Sequence, residues 1–273
     1  MNIKYIRCHF FILLFTAVIA CNNPTDKKAK EQPAEKPVPA YILTLKQSVE
    51  HYPDSTGLRL QYIYALDSIA EFKTAIAQTD SLIKKDTANY GIWYARGQVM
   101  EDAGDTTGAM HSYSKAINVY PAPDALLSLA NLYAEAKNNK ALLLCSRVKE
   151  MSLGRSFDAN SDFIAGVYYA RTGNRQQALQ LFDRCIASDF TYMTAYIEKG
   201  LVYFDNKQYQ EALKVFQFAS TVNNLYADAY YYMARCYEMT GQKDSALNRF
   251  QQALQLDKNL TQASEGIERV KDK

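Results

Sequence analysis

Residues 230–253 read YYYMARCYEMTGQKDSALNRFQQA. Tyr230, Met233, Ala234 and Tyr237 fall three to four residues apart, which places them on one stripe of a helix. Ala246, Phe250 and Ala253 form a second such stripe after Gly241. Glycine is the residue that most readily takes the left-handed backbone ending a helix, so the stretch reads as two helices folded back on each other through a tight turn. Ala234 on the first helix and Ala246 on the second are small enough to let the two backbones approach, while Tyr237 and Phe250 fill the space beside them.

The pattern recurs upstream. Ala75, Ala109, Ala141, Ala178, Ala212 and Ala246 lie 34, 32, 37, 34 and 34 residues apart. Four residues after each stands Thr79, Tyr113, Cys145, Phe182, Phe216 or Phe250, and nine before lie Leu66, Met100, Tyr169, Tyr203 and Tyr237. In the third unit Tyr133 lies eight before Ala141, so the turn there is a residue short, and an insertion follows near Met151–Ser156. A fixed period of this length marks a repeat architecture in which one hairpin cannot bury its apolar face alone and stacking joins the faces into one core. Six units follow: 56–89, 90–122, 123–158, 159–192, 193–226 and 227–260. Irregular stacking is expected at the third. Residues 41–52 read as a leading half-unit helix stopped at Pro53, and 261–273 as a polar capping helix.

Trp93-x-x-Arg96-Gly97 with Ala109, Tyr113, Ala116 and Pro121 resembles the tetratricopeptide repeat (TPR). Tyr196-x-x-Lys199-Gly200-x-x-Tyr203 with Ala212, Phe216 and Ala219 is similar to it too, as is the stretch quoted first. Most units lack the family's closing proline. The resemblance implies an all-α protein, an α-solenoid forming a right-handed superhelix of about six helix-turn-helix repeats with a terminal capping helix, over 40–273. Within each repeat it implies a helix A and a helix B, with helix A lining a concave groove. Gly97, Ala130, Gly166, Gly200 and Ala234 occupy the small eighth position, and Gly104, Gly173 and Gly241 the end of helix A.

The start of the chain has a different character. Lys4 and Arg7 precede the apolar run Phe10–Ile19, which at roughly 10 residues is too short to cross a ~30 Å hydrocarbon core but has the proportions of an export signal. Val18-Ile19-Ala20-Cys21 resembles the lipobox of bacterial lipoproteins. That resemblance implies cleavage of a signal peptide, 1–20, and lipidation of Cys21, a stable membrane anchor; Asn22 favours the outer membrane. Residues 22–39, rich in Lys, Glu and Pro, cannot bury a core. Segment 21–39 therefore reads as a lipidated cysteine and a tether, spanning on the order of 20–25 Å.

The chain carries 31 Lys and Arg against 29 Asp and Glu. Losing Lys4 and Arg7 leaves no net charge, and nucleic-acid binding, which needs a basic excess, is not expected. Cys145, Cys185 and Cys236 are odd in number and lack C-x-x-C spacing, so they read as small buried hydrophobes. Asp158-x-Asn160-x-Asp162 imitates a calcium loop but has Phe163 where the turn needs glycine; its residues read instead as caps at the start of a helix. Gly104–Gly108 lacks the spacing and lysine of a phosphate loop. Past the leader only His51 and His111 remain. Asp-Ser or Asp-Thr followed by an apolar residue or Thr, at Asp67, Asp80, Asp86, Asp105 and Asp244, reads as turn and capping chemistry. The expectation is a non-enzyme with no metal and no cofactor.

The resemblance also implies a partner-binding groove. Its fifth positions are Leu60, Tyr94, Leu127, Phe163, Ile197 and Tyr231, and its ninth are Tyr64, Gln98, Asn131, Val167, Leu201 and Arg235. Arg171, Phe204 and Met239 continue the stripe, with Glu101 and Asp102. The lysine-and-asparagine clamp with which some relatives seize a C-terminal carboxylate is absent apart from Asn131. An aliphatic and aromatic groove suits a protein or peptide segment laid in by its apolar side chains; the alternative is that these residues pack on each other or under residues 40–52. The expected role is a membrane-tethered adaptor for partner proteins at the bacterial envelope, in outer-membrane assembly, secretion or peptidoglycan remodelling. A rival is a module binding a glycan or peptide through Tyr64, Tyr94 and Tyr231.

Overall fold

A computed structural model describes residues 38–272. The leader, Cys21 and the tether up to residue 37 lie outside the described residues. Four of the described helices start on short polar side chains. Ser55, Asn89, Asp105 and Asn174 each accept a hydrogen bond from a backbone N–H of the helix they open, satisfying donors that have no partner within the helix. Pro123 occupies the first turn of its helix, where its missing N–H costs nothing.

The described residues form fourteen helices and no strand. α1 (Ala40–His51) leads, and six hairpins follow: α2 (Thr56–Ser68) with α3 (Phe72–Lys85), α4 (Tyr90–Asp102) with α5 (Thr106–Val119), and α6 (Pro123–Glu135) with α7 (Lys140–Glu150). Next come α8 (Arg155–Arg171) with α9 (Arg175–Ser188), α10 (Met193–Asp205) with α11 (Tyr209–Val222), and α12 (Ala227–Met239) with α13 (Lys243–Leu256). α14 (Thr261–Lys271) closes the stack. Each helix packs on its neighbours in the chain, and the cores run from one hairpin into the next. This is the α-solenoid that the period implied. Residues 40–52 do not enter the groove: α1 stacks on α2 as a leading half-repeat, burying Ile42 and Val49.

Every A-to-B turn has one geometry. One residue takes positive φ: Ala70, Gly104, Lys137, Gly173, Lys207 and Gly241, at 63°, 79°, 56°, 85°, 60° and 75°. The next residue's N–H then reaches back to the carbonyl of the eleventh position, as Asp105 does to Met100 at 2.8 Å and Gln242 to Tyr237 at 2.9 Å. The expected caps Gly104, Gly173 and Gly241 are thus in place, and three non-glycines share their strain.

Between the paired helices, the small eighth position faces the aromatic of helix B. A β-carbon built on Gly97 would lie 2.5 Å from Tyr113, one on Gly166 2.7 Å from Phe182, and one on Gly200 2.2 Å from Phe216. Phe250 is also approached by Gly266 of α14, at 2.5 Å by the same construction, a role the sequence did not announce. Cys145, Cys185 and Cys236 are buried and unpaired; burial pushes the thiols of Cys145 and Cys236 up to about 12.

The irregular stacking expected at the third unit takes a definite form. α7 is the shortest B helix, and α8 begins at Arg155, four residues before the unit boundary read from the period. Gly154, at φ 100°, makes the bend that permits this. α8 packs broadly on both α6 and α7. Asp158 consequently lies in the first turn of α8 and Asn160 and Asp162 further inside it; the N-cap is Gly154, which corrects the reading of the three as caps. Asn160 is buried and accepts from the Tyr192 hydroxyl at 2.9 Å.

Candidate functional site

The A helices α2, α4, α6, α8, α10 and α12 carry the predicted groove residues. They do not form one even stripe. Leu127, Val167 and Ile197 are buried, only 3%, 1% and 7% exposed. Their removal from the surface corrects the expectation that they line a groove. α6 packs closely on α8, so Leu127 and Val167 share one core, while Ile197 joins the core of the following repeats. Phe163 is half-buried, its ring 6.0 Å from Phe182 and 5.0 Å from Tyr192.

Arg171 was expected to meet a partner. It is instead held between two carboxylates. Nε and one terminal nitrogen donate to Glu135 at 2.9 and 3.0 Å, and both terminal nitrogens donate to Glu198 at 2.9 and 3.0 Å. One planar guanidinium therefore ties the end of α6, the end of α8 and the middle of α10 together, a geometry that an ammonium could not reproduce.

On either side of this sealed middle the face stays open. In the first three repeats Tyr90 stacks on Tyr94 with centroids 5.6 Å apart, Tyr94 tilts against Tyr113 at 5.7 Å, and Tyr120 meets Tyr90 edge-on at 6.1 Å. Tyr64, 42% exposed, stands beside them. Gln98 and Asn131 are half-buried on the same face, and Leu60 packs into the core below it. Burial lifts the phenols of Tyr64 and Tyr94, the latter to about 12, so both remain hydrogen-bond donors at neutral pH. Burial also raises Glu101, opposed by the Tyr113 hydroxyl that donates to it at 2.7 Å. Tyr90 and Tyr120 were missed because they fall at a helix start and in a B-to-A connection, outside the positions to which the resemblance points.

In the last two repeats Arg235 lies over the Phe204 ring at 5.7 Å and donates to the Tyr231 hydroxyl at 3.2 Å. Glu238, its side chain 5% exposed, accepts from Arg269 of α14 at 2.7 and 2.8 Å and lies 3.4 Å from Arg235. Leu201 packs against the core, and Met239 is 47% exposed. Tyr231 is covered by Tyr232 and Phe250. Of the three tyrosines offered as glycan platforms, Tyr64 is exposed and Tyr94 and Tyr231 are half-buried.

No three His, Cys, Asp or Glu side chains gather as a metal site among the described residues. No described helix is long and apolar enough to cross a membrane.

Comparison with known proteins agrees with this geometry. Residues 191–259 match the family described as "Tetratricopeptide repeat". The chain is 24% identical over 177 residues to the probable UDP-N-acetylglucosamine–peptide N-acetylglucosaminyltransferase SPINDLY of Hordeum vulgare. That match takes in 63% of this chain and spans only 19% of the length of the relative. Among solved structures, a tetratricopeptide repeat protein from Parabacteroides merdae superposes with a TM-score of 0.71 at 16% identity, covering 84% of this chain and 91% of that one. PilW, a type IV pilus biogenesis factor, gives 0.64 at 16% identity over 80% and 98%. Yeast Tom70 gives 0.58 at 14% identity over 85% and 57%. With the hairpin period, the left-handed turns and these superpositions in agreement, the fold is that of a tetratricopeptide-repeat α-solenoid, and residues 191–259 carry the family's own pattern.

Proposed function

We propose that this chain is a non-catalytic adaptor that holds segments of partner proteins on the face made by its A helices. Exposed aromatic and apolar side chains persist at both ends of that face, around Tyr64 and around Met239, while the middle is closed by Arg171 and its two glutamates. That distribution is the observation carrying the proposal. Apolar groups left open beside hydrogen-bonding phenols and a guanidinium suit an amphipathic segment, and two separated patches suit a segment long enough to touch both. The similarity in fold to PilW and Tom70 supports a solenoid of this kind as a platform. The finer setting belongs to the same proposal: the leader and Cys21 hold the adaptor by lipid at a bacterial envelope, where it serves assembly, secretion or wall remodelling.

The glycan alternative is less well supported, because Tyr94 and Tyr231 already have other rings against them. Crosslinking in intact cells, read by mass spectrometry, tests the main reading. Tyr64→Glu combined with Met239→Glu should remove the captured proteins while helicity is unchanged. Undiminished capture by that variant would place the binding surface elsewhere. Cys21→Ser should move the protein from the membrane to the soluble fraction, and retention in the membrane pellet would defeat the anchor.

A further inference from the structure

The seventh position of helix A can reach back to the preceding B helix, as its basic occupants do. Its occupants are Tyr62, Arg96, Leu129, Ala165, Lys199 and Met233. Five are large; Ala165 alone is small. Arg96 shows what a basic residue does at this position: its Nε donates to Asp80 of the preceding B helix at 3.0 Å, and a terminal nitrogen donates to Ser112 at 2.9 Å. Lys199 repeats the contact on Asp183 at 2.6 Å. In the fourth repeat both ends of this plug are gone, since Ser146 stands where Asp80 and Asp183 stand in theirs. A cleft of about 310 Å³ results between α7, α8 and α9, with Ser146 and Ala165 in its lining.

The cleft is polar within. Ser161 on its lining is fully buried, and its Oγ has no hydrogen-bond partner. A buried hydroxyl left unsatisfied is costly, so this one is suited to bond a ligand that enters the cleft. Asp162, its side chain 6% exposed, lies in the wall and receives Lys149 Nζ at 2.6 Å and a terminal nitrogen of Arg184. Those are the only bonds that Lys149 and Arg184 make to protein among the described residues, so each keeps further N–H donors. Gln177 and Gln180 add carboxamides to the rim. Two cations against one carboxylate leave the walls with one net positive charge.

We propose that this cleft binds a single carboxylate group. One negative charge matches the excess in the walls, Arg184 supplies a planar fork, and Ser161 supplies the buried donor. A phosphate dianion would bring a second charge against Asp162. The carboxylate comes either from an acidic side chain of a partner protein or from a small free acid. The site is independent of the A-helix face.

The test is a titration of the full 273-residue chain, ¹⁵N-labelled, with propionate, with inorganic phosphate, and with a capped pentapeptide whose one charge is a central glutamate. Side-chain amide signals of Gln177 and Gln180 should shift saturably with propionate and more weakly with phosphate. Arg184→Gln, at an exposed residue, should weaken binding by at least ~10-fold through loss of the charged donor pair. Ser146→Asp with Ala165→Arg restores the plug and should abolish the shifts while circular dichroism stays native. Binding of the pentapeptide ~10-fold or more tighter than propionate assigns the site to a partner's side chain, and equal or weaker binding to a free acid. Absence of any shift, equal response to phosphate, or shifts that persist in both variants would overturn the proposal.

Discussion

Ala70, Lys137 and Lys207 hold the same left-handed turn that Gly104, Gly173 and Gly241 hold elsewhere. A β-carbon in that conformation costs roughly 1–2 kcal/mol, part of which glycine gives back as unfolded-state entropy. Lys137→Gly and Lys207→Gly should each raise stability by about 0.5–1 kcal/mol in urea denaturation, and Lys207→Ala should not. Glu101 provides a pH-dependent counterpart. Burial makes the folded chain hold its proton more tightly than the unfolded chain, whose ordinary value is near 4.5. The contribution of Glu101 is therefore complete below that value and is lost as pH rises through the raised folded one. Glu101→Gln, which still accepts from Tyr113, should be more stable than the parent at pH 7 and equal to it at pH 4, as read from urea midpoints. The glycine caps were legible in the sequence because glycine has a conformational signature. Their lysine and alanine equivalents were not, since nothing in a lone Lys207 announces positive φ; only the shared period reveals it.

Among the helices, the α6–α8–α10 junction departs most from repetition. Arg171 and its two glutamates are each a quarter to a third exposed or less, so the clamp is discounted from the value of a buried network but exceeds a surface pair. Arg171→Ala should cost about 2 kcal/mol, and Arg171→Lys should recover less than half of that, because one ammonium cannot chelate both carboxylates. Urea denaturation measures both. Helix identity and order could be read from small and aromatic residues at fixed offsets. The groove could not be read with equal success. Whether Leu127, Val167 and Ile197 face solvent depends on how near the adjacent helices lie, and no residue at those positions announces that distance.

Across the stack, stability should be graded. The largest continuous core runs from Met193 to Val270, and Phe182, Phe216 and Phe250 are fully buried where the first repeat has only Thr79. In a linear array each hairpin depends on its nearest neighbours, so the opening of one end does not require the other to open. Amide hydrogen exchange should be at least ~10-fold slower in α10–α13 than in α2–α3. Equal protection throughout would show instead that the array opens as one unit.

The early start of α8 also bears on how such a chain can be lengthened or shortened. Gene duplication and repeat grafting cut where one hairpin ends and another begins. At residues 192/193 and 226/227 such a cut falls between helices, and a spare copy could be spliced in with its interfaces intact. At 158/159 it would fall inside α8, severing a continuous helix and orphaning the lining around Ser161. The third and fourth hairpins are thus a single heritable block, to be transplanted together or left alone.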